Sequence, residues 1–203
     1  MWWAAGAGFS YQFIVEVMDG FSTAWGFSNT ALAANAIGTR TFLAQQLAWK
    51  EQRIQLKYSF STSNLTKMYG PEGDRARNLY GSSIFEQWLK DYNDQTYWAS
   101  FNLWSLFGKP EHFPKWINLA TGYSTNNLLG GHSNTWTTSV ETIITSSRVR
   151  QRQYLFSLDV DFSRVNLPRS LKWINPISGL IKFPFPALEL NSQKGAKGHW
   201  IYF

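Results

Sequence analysis

The first 50 residues are apolar and rich in small side chains, a composition that predicts helices. Residues 20–39 contain no charge, and alanine is concentrated in the second half of this segment. Small residues let helices approach each other closely, whereas a membrane-spanning helix needs about 18 to 20 predominantly apolar residues. Because several Ser, Thr and Asn side chains make the segment polar, we expect a buried helical hairpin rather than a span.

From residue 53 the pattern changes, and polar and apolar residues alternate along the chain. Residues 53–60 alternate strictly, which predicts a strand with one wet face and one apolar face. The expected wet face holds Gln55, Lys57 and Ser59, and the apolar face holds Ile54, Leu56, Tyr58 and Phe60. Alternation and short apolar runs predict five further strands, at 96–103, 115–123, 154–163, 187–191 and 199–203.

The segments between these strands carry fewer signals. Residues 61–81 are rich in Ser, Asn, Gly and charge and predict a loop, and residues 168–183 predict an irregular or partly helical stretch. Ser83 and Glu86 have the spacing of a capping box, in which a hydroxyl and a carboxylate satisfy the first free amides of a helix. A short capped helix is therefore expected near residues 83–92.

Together these patterns predict an α+β fold. Apolar helices at 1–50 are expected to pack with an antiparallel β region at 51–203 as one integrated domain. A partial or small outer-membrane-type barrel is an open alternative for the sheet, because several strands carry aromatic and aliphatic residues on one face. Aromatic residues make up 17% of the chain, which fits either a large aromatic core or an aromatic belt at a membrane interface.

The charge and the cysteine content limit the kinds of partner and of site that the chain can have. The net charge is +6, but the 19 Lys and Arg are scattered, so no nucleic-acid partner is expected. Arg148, Arg150 and Arg152 would share one face of a strand, where they could contact phosphate or simply form a solvated edge. The chain has no cysteine, which excludes disulfides and thiolate metal sites. No basic segment precedes the apolar start, so we expect an omitted leader or an upstream start.

Several motifs resemble those of one known family. They are EVMDGF at 16–21, WGFS at 25–28, ANAIG at 34–38, WKEQRIQLK at 49–57, LKDYNDQTYW at 89–98, PKWINLA at 114–120, SLDVD at 157–161 and PFPALE at 184–189. Together they resemble the YfiM-like family of uncharacterised predicted periplasmic lipoproteins, in particular its longer, aromatic-rich Gram-negative members. The resemblance implies the cell envelope and no activity.

The first of these segments is also distantly similar to the VanZ-like membrane family. Asn35 and Gly38 match its Asn-x-x-Gly motif, but Ala31 stands where that family tends to place a carboxylate. Any site that needs this carboxylate is therefore incomplete here.

Paired carboxylates are the candidate catalytic groups. Glu16 and Asp19 are three residues apart on a predicted helix, so they share a face in an apolar segment. Buried carboxylates take raised pKa values and can act as general acids. The favoured alternative is an ion pair or cap at the helix end near Gly20, and Asn35 is expected to hydrogen-bond across a helix contact.

Two other polar groups are binding candidates. Asp91 and Asn93 lie in a polar cluster whose oxygens could hold Ca²⁺, although a capped turn is favoured. Asp159 and Asp161 are expected on one face of their strand, with the three arginines at 148–152 as candidates to neutralise them. The three histidines lack metal-ligand spacing, so no metal and no cofactor are expected.

The sequence therefore predicts a non-enzymatic cell-envelope protein at the bacterial outer membrane or the periplasmic face of the envelope. Its expected role is a structural or accessory subunit of an outer-membrane protein complex, in contact with lipid. The alternatives are an envelope enzyme acting on lipid or glycan through the paired carboxylates, and a glycan-binding module that uses exposed Trp. A small-molecule ligand is not identified by any motif.

Overall fold

The computed structural model describes residues 2–21, 28–62, 64–138, 142–174 and 178–203. They form an α+β fold, as predicted, whose main feature is a six-stranded antiparallel sheet. The chain divides into two compact units, Met1–Ile54 and Gln55–Phe203.

The first unit contains two helices, α1 (Trp2–Gly20) and α2 (Asn29–Trp49), which pack against each other. Helix α2 begins at Ser28, whose hydroxyl accepts the Ala31 N–H at 3.1 Å, and it ends at Lys50 in the left-handed conformation. Gln45 then fixes the exit of the chain, because its side-chain oxygen accepts the backbone N–H of Ile54 at 2.7 Å.

The predicted buried hairpin at residues 20–39 is not borne out in the part that the structure describes. Residues 28–39 are half-buried or exposed, with Ile37 at 63% exposure. Residues 22–27 lie outside the described residues. Among the helices that the structure describes, none is both long enough and apolar enough to cross a membrane.

The second unit is built on the main sheet, whose strand order is β1-β2-β3-β6-β7-β8. Its strands are β1 (Ile54–Phe60), β2 (Gln95–Asn102), β3 (Ile117–Asn126), β6 (Gln151–Val160), β7 (Phe185–Asn191) and β8 (Gly195–Tyr202). All six were predicted from alternation or short apolar runs, with ends that differ by a few residues. A separate two-stranded sheet, β4 (Thr135–Thr137) and β5 (Ile143–Thr145), was not predicted.

The remaining elements are short helices: α3 (Pro71–Tyr80), α4 (Ile84–Lys90), α5 (Leu103–Leu106) and the 3₁₀ helices Phe162–Arg164 and Arg169–Ile174. The prediction that residues 61–81 form a loop is wrong for residues 71–80, which form α3. This helix has Pro71 at its first position, where no N–H is needed, and it buries Ala76 and Tyr80 against Leu65 and Leu129. These long-range contacts outweigh the loop-like composition of the segment.

The main sheet buries its polar side and exposes its apolar side. In β6 the buried positions are Gln151, Gln153, Leu155, Ser157 and Asp159, and the residues between them are exposed. The expectation that the polar side of β1 is wet is also wrong, because Lys57 and Ser59 are 3% and 4% exposed. Leu56, which precedes Lys57 and points to the other side of the sheet, is 61% exposed.

A narrow apolar row crosses the buried side. Trp98, Ala120, Leu155 and Ala187 come from four successive strands, and Tyr202 of β8 packs against them. Gly122 lies opposite Trp98 in the register of β2 and β3. A Cβ atom at this glycine would lie 2.7 Å from the indole ring, so only glycine leaves room for Trp98.

Helix α4 has the predicted capping box. The Ser83 hydroxyl accepts the Glu86 N–H at 3.2 Å, and the Glu86 carboxylate accepts the Ser83 N–H at 3.3 Å. We expect Ser83→Ala to lower the free energy of unfolding by about 1 kcal/mol, because the Glu86 N–H loses its acceptor and the Glu86 carboxylate loses the hydrogen bond that the hydroxyl donates. Urea unfolding followed by circular dichroism measures the change. Ser82→Ala is the matched control, and equal losses in both variants would contradict the capping role.

Candidate functional site

The buried side of the sheet holds a hydrogen-bonded ionic network around Asp159. Lys57 Nζ lies 2.7 Å from Asp159 Oδ2, and both side chains are fully buried. The hydroxyl of Ser100 donates to the same oxygen at 2.6 Å. Asn118 in turn donates to Ser100 at 2.8 Å, so four strands contribute one side chain each. A buried charge needs this degree of compensation.

A second buried lysine, Lys182, joins this network from the segment before β7. Its Nζ donates to the Ser157 hydroxyl and to the Phe183 carbonyl, both at 3.0 Å, and lies 4.8 Å from the centre of the Trp98 ring. Burial lowers the pKa of Lys182 from 10.5 to about 8; attraction to Asp159 opposes this shift and repulsion from Lys57 adds to it.

One end of the same buried side opens into a polar pocket of about 330 Å³. At its floor, Glu189 Oε1 accepts hydrogen bonds from Gln153 at 2.7 Å and from Asn191 at 2.8 Å. The other carboxylate oxygen lies 2.6 Å from His199 Nε2. The hairpin of β7 and β8 and the central strand β6 therefore position one carboxylate and one imidazole together.

The opposite side of the sheet is an exposed surface of large apolar residues, which we call the apolar face. Nine of its side chains are 40–61% exposed, namely Leu56, Tyr97, Leu119, Tyr123, Tyr154, Phe156, Leu158, Leu188 and Leu190. An exposed apolar surface of this extent usually contacts a protein or a membrane.

The apolar face ends in a row of aromatic rings. Tyr97 is paired with Tyr123, and Tyr123 with Tyr154, across three neighbouring strands. The row continues beyond Tyr97 to Tyr58, at a centroid distance of 5.8 Å, and from Tyr58 to Trp88 of α4 at 6.4 Å. Helix α4 extends this surface, since its residues Ile84, Phe85, Trp88 and Leu89 are 44–71% exposed.

Of the two paired carboxylates, Glu16 and Asp19, the structure describes the side chain of Glu16. Glu16 is buried at 9% exposure, and its carboxylate accepts the backbone N–H of Ser28 at 3.2 Å. That contact joins the start of α2 to α1, in keeping with a structural role. The side chain of Asp19 lies outside the described residues. Asn35 is half-buried in α2, and its backbone carbonyl accepts the Thr39 hydroxyl at 3.0 Å.

Asp91 and Asn93 form a buried turn. The Asp91 carboxylate accepts the backbone and side-chain N–H groups of Asn93 at 3.0 and 2.9 Å. Asn93 in turn bonds both backbone groups of Leu128, its side-chain oxygen accepting the N–H at 2.6 Å. The pair thus ties the turn between α4 and β2 to the loop after β3. In the described part of the chain, no cluster of three or more His, Asp or Glu side chains could hold a metal ion.

The three arginines do not form one basic strand face. Arg148 lies 2.7 Å from the carboxylate of Glu72 in α3, and Arg150 donates to the carbonyls of Gly130 and Gly131. Arg148 therefore binds α3, and Arg150 binds the loop at Gly130. Of the three, only Arg152 lies in β6, where it is exposed.

The two aspartates are neutralised by other residues than expected. Lys57 compensates Asp159, and Arg164, at 3.0 Å, compensates Asp161. Asp161 also caps the following 3₁₀ helix, where its carboxylate accepts the Ser163 N–H at 3.1 Å. The prediction that Arg148, Arg150 and Arg152 serve this purpose is wrong, because those side chains lie with α3 and the loop at Gly130 or at the surface.

Lys57, Lys182, Glu189 and His199 are the functional candidates that sequence reasoning missed. For Glu189 and His199 the sequence carried one signal. They lie in two consecutive predicted strands, which a hairpin would bring side by side. Comparisons of the chain with family models, with curated protein sequences and with solved structures find no match.

Proposed function

We propose that this chain is a non-enzymatic protein of the bacterial cell envelope, whose apolar face lies against the hydrocarbon of the outer membrane. Its role is that of a structural or accessory subunit of an outer-membrane assembly. One observation carries the proposal: the sheet exposes nine large apolar side chains on one side and buries Lys57, Asp159, Glu189 and several amides on the other. Strands of outer-membrane proteins alternate in this way, with apolar residues towards lipid and polar residues inward.

The aromatic row supports lipid as the occupant of this face. Tyr and Trp rings concentrate at membrane interfaces, where the ring lies in apolar surroundings and its polar atom reaches the headgroups. Tyr97, Tyr123 and Tyr154 form such a line at one end of the apolar face. The register of β2, β3 and β6 places the backbones of the three tyrosines at one level of the sheet, as a membrane interface favours.

The other end of the face carries the second feature of an interface. There Lys115 Nζ lies 5.2 Å from the centre of the Trp104 ring. A basic group beside an indole ring at this level suits anionic headgroups. Along β3, Ile117 and Tyr123 are separated by about 20 Å, at about 3.3 Å per residue, a length that fits within the lipid-facing band of about 25 Å in outer-membrane proteins.

The resemblance to YfiM-like predicted periplasmic lipoproteins agrees with the proposal. The family assignment and the envelope location both stay predictions. The enzyme alternative gains no support from Glu16, because its carboxylate is engaged with the start of α2.

The proposal is tested by secretion of the full chain into the periplasm of a Gram-negative host and separation of the membranes by density. We expect the protein in the outer-membrane fraction, resistant to high salt. Phe156→Lys, at the centre of the apolar face, should weaken membrane partition by about 2 kcal/mol or more, roughly 30-fold, because a lysine at mid-depth is costly in lipid.

Ile143→Lys is the matched control, since Ile143 is 70% exposed but lies on β5, outside the apolar face. It should leave partition unchanged. Recovery of the unsubstituted protein as a soluble periplasmic monomer would overturn the proposal. Extraction in mild detergent without any stoichiometric outer-membrane protein would remove the accessory-subunit role and leave the membrane location.

A further inference from the structure

The polar pocket at the end of the buried side is built differently from the Asp159 network. The network is closed, whereas the pocket is open and lined by side chains of β6, β7 and β8. Its volume of about 330 Å³ lies within the range of about 300–1,000 Å³ that small-molecule sites occupy. A pocket lined by amides, an imidazole and the carboxylates of Glu189 and Asp94 suits a ligand that offers many hydrogen bonds.

The hydrogen bonds of the pocket floor fix which atoms remain for a ligand. Gln153 uses its amide N–H₂ on Glu189, and its Oε1 has no hydrogen-bond partner among the described residues. Gln151 accepts from Asn191 through its Oε1 at 3.1 Å, which leaves its amide N–H₂ as a donor. His199 meets Glu189 through Nε2, so its Nδ1 is the remaining ring nitrogen. The pocket therefore presents donors and acceptors at fixed positions, as sugar hydroxyls require.

The other lining groups add an aromatic wall and a positive rim. Tyr202 and Phe203 line the pocket and give it apolar surface beside its polar groups. Lys194 and Lys197 also line it and are exposed. Glu189 is engaged by Gln153, Asn191 and His199, and the exposed ammonium groups of the two lysines are suited to an anion at the rim.

We infer that this pocket binds a phosphorylated saccharide, with the sugar hydroxyls on Gln151, Gln153 and His199 and the phosphate at Lys194 and Lys197. The inference goes beyond the proposed membrane location and is independent of it, because the pocket lies on the side of the sheet opposite the apolar face. A lipid tail does not suit the polar lining. The ligand is either a free sugar phosphate or the phosphorylated sugar headgroup of a glycolipid.

Calorimetric titration of the full chain in mild detergent tests the inference, with glucose 1-phosphate, glucose and inorganic phosphate as probes. Glucose 1-phosphate should bind at least about tenfold more tightly than either fragment, because only it engages both the amides and the rim. Lys197→Gln should weaken glucose 1-phosphate about tenfold. Lys172→Gln, an equal change of charge at an exposed position outside the pocket, should have no effect.

A variant of the pocket floor separates specific binding from general attraction of anions. Gln153→Met should also weaken glucose 1-phosphate about tenfold while leaving the weak affinity for inorganic phosphate unchanged; its thermal unfolding is compared with that of the parent to confirm that it folds. Binding to vesicles that contain lipid A tests whether the headgroup of a glycolipid is the ligand. Binding to these vesicles alone, sensitive to Lys197→Gln, assigns the headgroup as ligand, and binding of glucose 1-phosphate assigns the free sugar.

The inference is overturned if neither glucose 1-phosphate nor the lipid A vesicles show saturable binding at millimolar concentration. Equal affinity of glucose 1-phosphate in the parent and in both pocket variants overturns it as well. Failure of these titrations leaves the membrane proposal standing, because that proposal is read out by fractionation of the Phe156 and Ile143 variants.

Discussion

Replacement of Asp159 with asparagine is expected to lower the free energy of unfolding by about 3–5 kcal/mol, because it leaves buried cations without their counter-charge. Lys57 Nζ lies 2.7 Å from the Asp159 carboxylate in a site where neither side chain is exposed. Lys182 is also held by attraction to this carboxylate. The amide keeps the shape of the side chain, so the loss measures charge rather than packing. Urea unfolding followed by tryptophan fluorescence measures it.

Asp74→Asn provides the matched control. Asp74 pairs with Arg77 at 2.6 Å, but its side chain is 69% exposed, and exposed pairs contribute about 1 kcal/mol or less. Addition of Lys57→Met to Asp159→Asn should recover part of the loss, because one of the two orphaned ammonium groups is removed. Similar losses for Asp159→Asn and Asp74→Asn would show that the Asp159 network is solvated.

The positions of the strands could be predicted from the sequence, but the side of the sheet that faces inward could not. Alternation of polar and apolar residues defines two faces and is silent on which of them is buried. The assumption of a water-facing polar side placed Lys57 in solvent, because lysine is rarely buried without a partner. Its partner, Asp159, is 102 residues further along the chain, and only the register of four strands brings the two together.

The composition of the polar side carried a usable signal. On β6 the buried polar residues are Gln151, Gln153, Ser157 and Asp159, which include no lysine and only one charge. Solvent-facing strand positions favour charged residues that keep sheets soluble. Amides and hydroxyls instead suit a buried network in which each group can be satisfied. The polar pocket could be anticipated only in part. Consecutive strands indicate that Glu189 and His199 lie on one hairpin, but their contact depends on the register of β7 and β8, which has an irregularity between Phe185 and Ala187.

A rise in stability between pH 7 and pH 10 is the second large effect that we expect, with Lys182 as its source. Burial lowers the pKa of this lysine to about 8, from 10.5. Between these two values the unfolded chain binds more protons than the folded one, so the free energy of unfolding increases with pH. The stabilising contribution is complete above pH 10.5 and is lost as the pH falls through about 8. The rise amounts to about 2 kcal/mol over this interval.

Tyr80 sets the upper limit of the interval. Burial raises the pKa of Tyr80 from 10.0 to about 12, so above pH 10 the folded chain retains a proton that the unfolded chain has lost, and stability falls. Comparison of the parent with Lys182→Met by urea unfolding at pH 7, 8, 9 and 10 isolates the lysine, because the tyrosines titrate alike in both proteins. Lys182→Met should flatten the pH dependence, whereas the exposed Lys172→Gln should preserve it. An unchanged rise in Lys182→Met would assign the titration to another group and would imply that Lys182 is solvated in the folded chain.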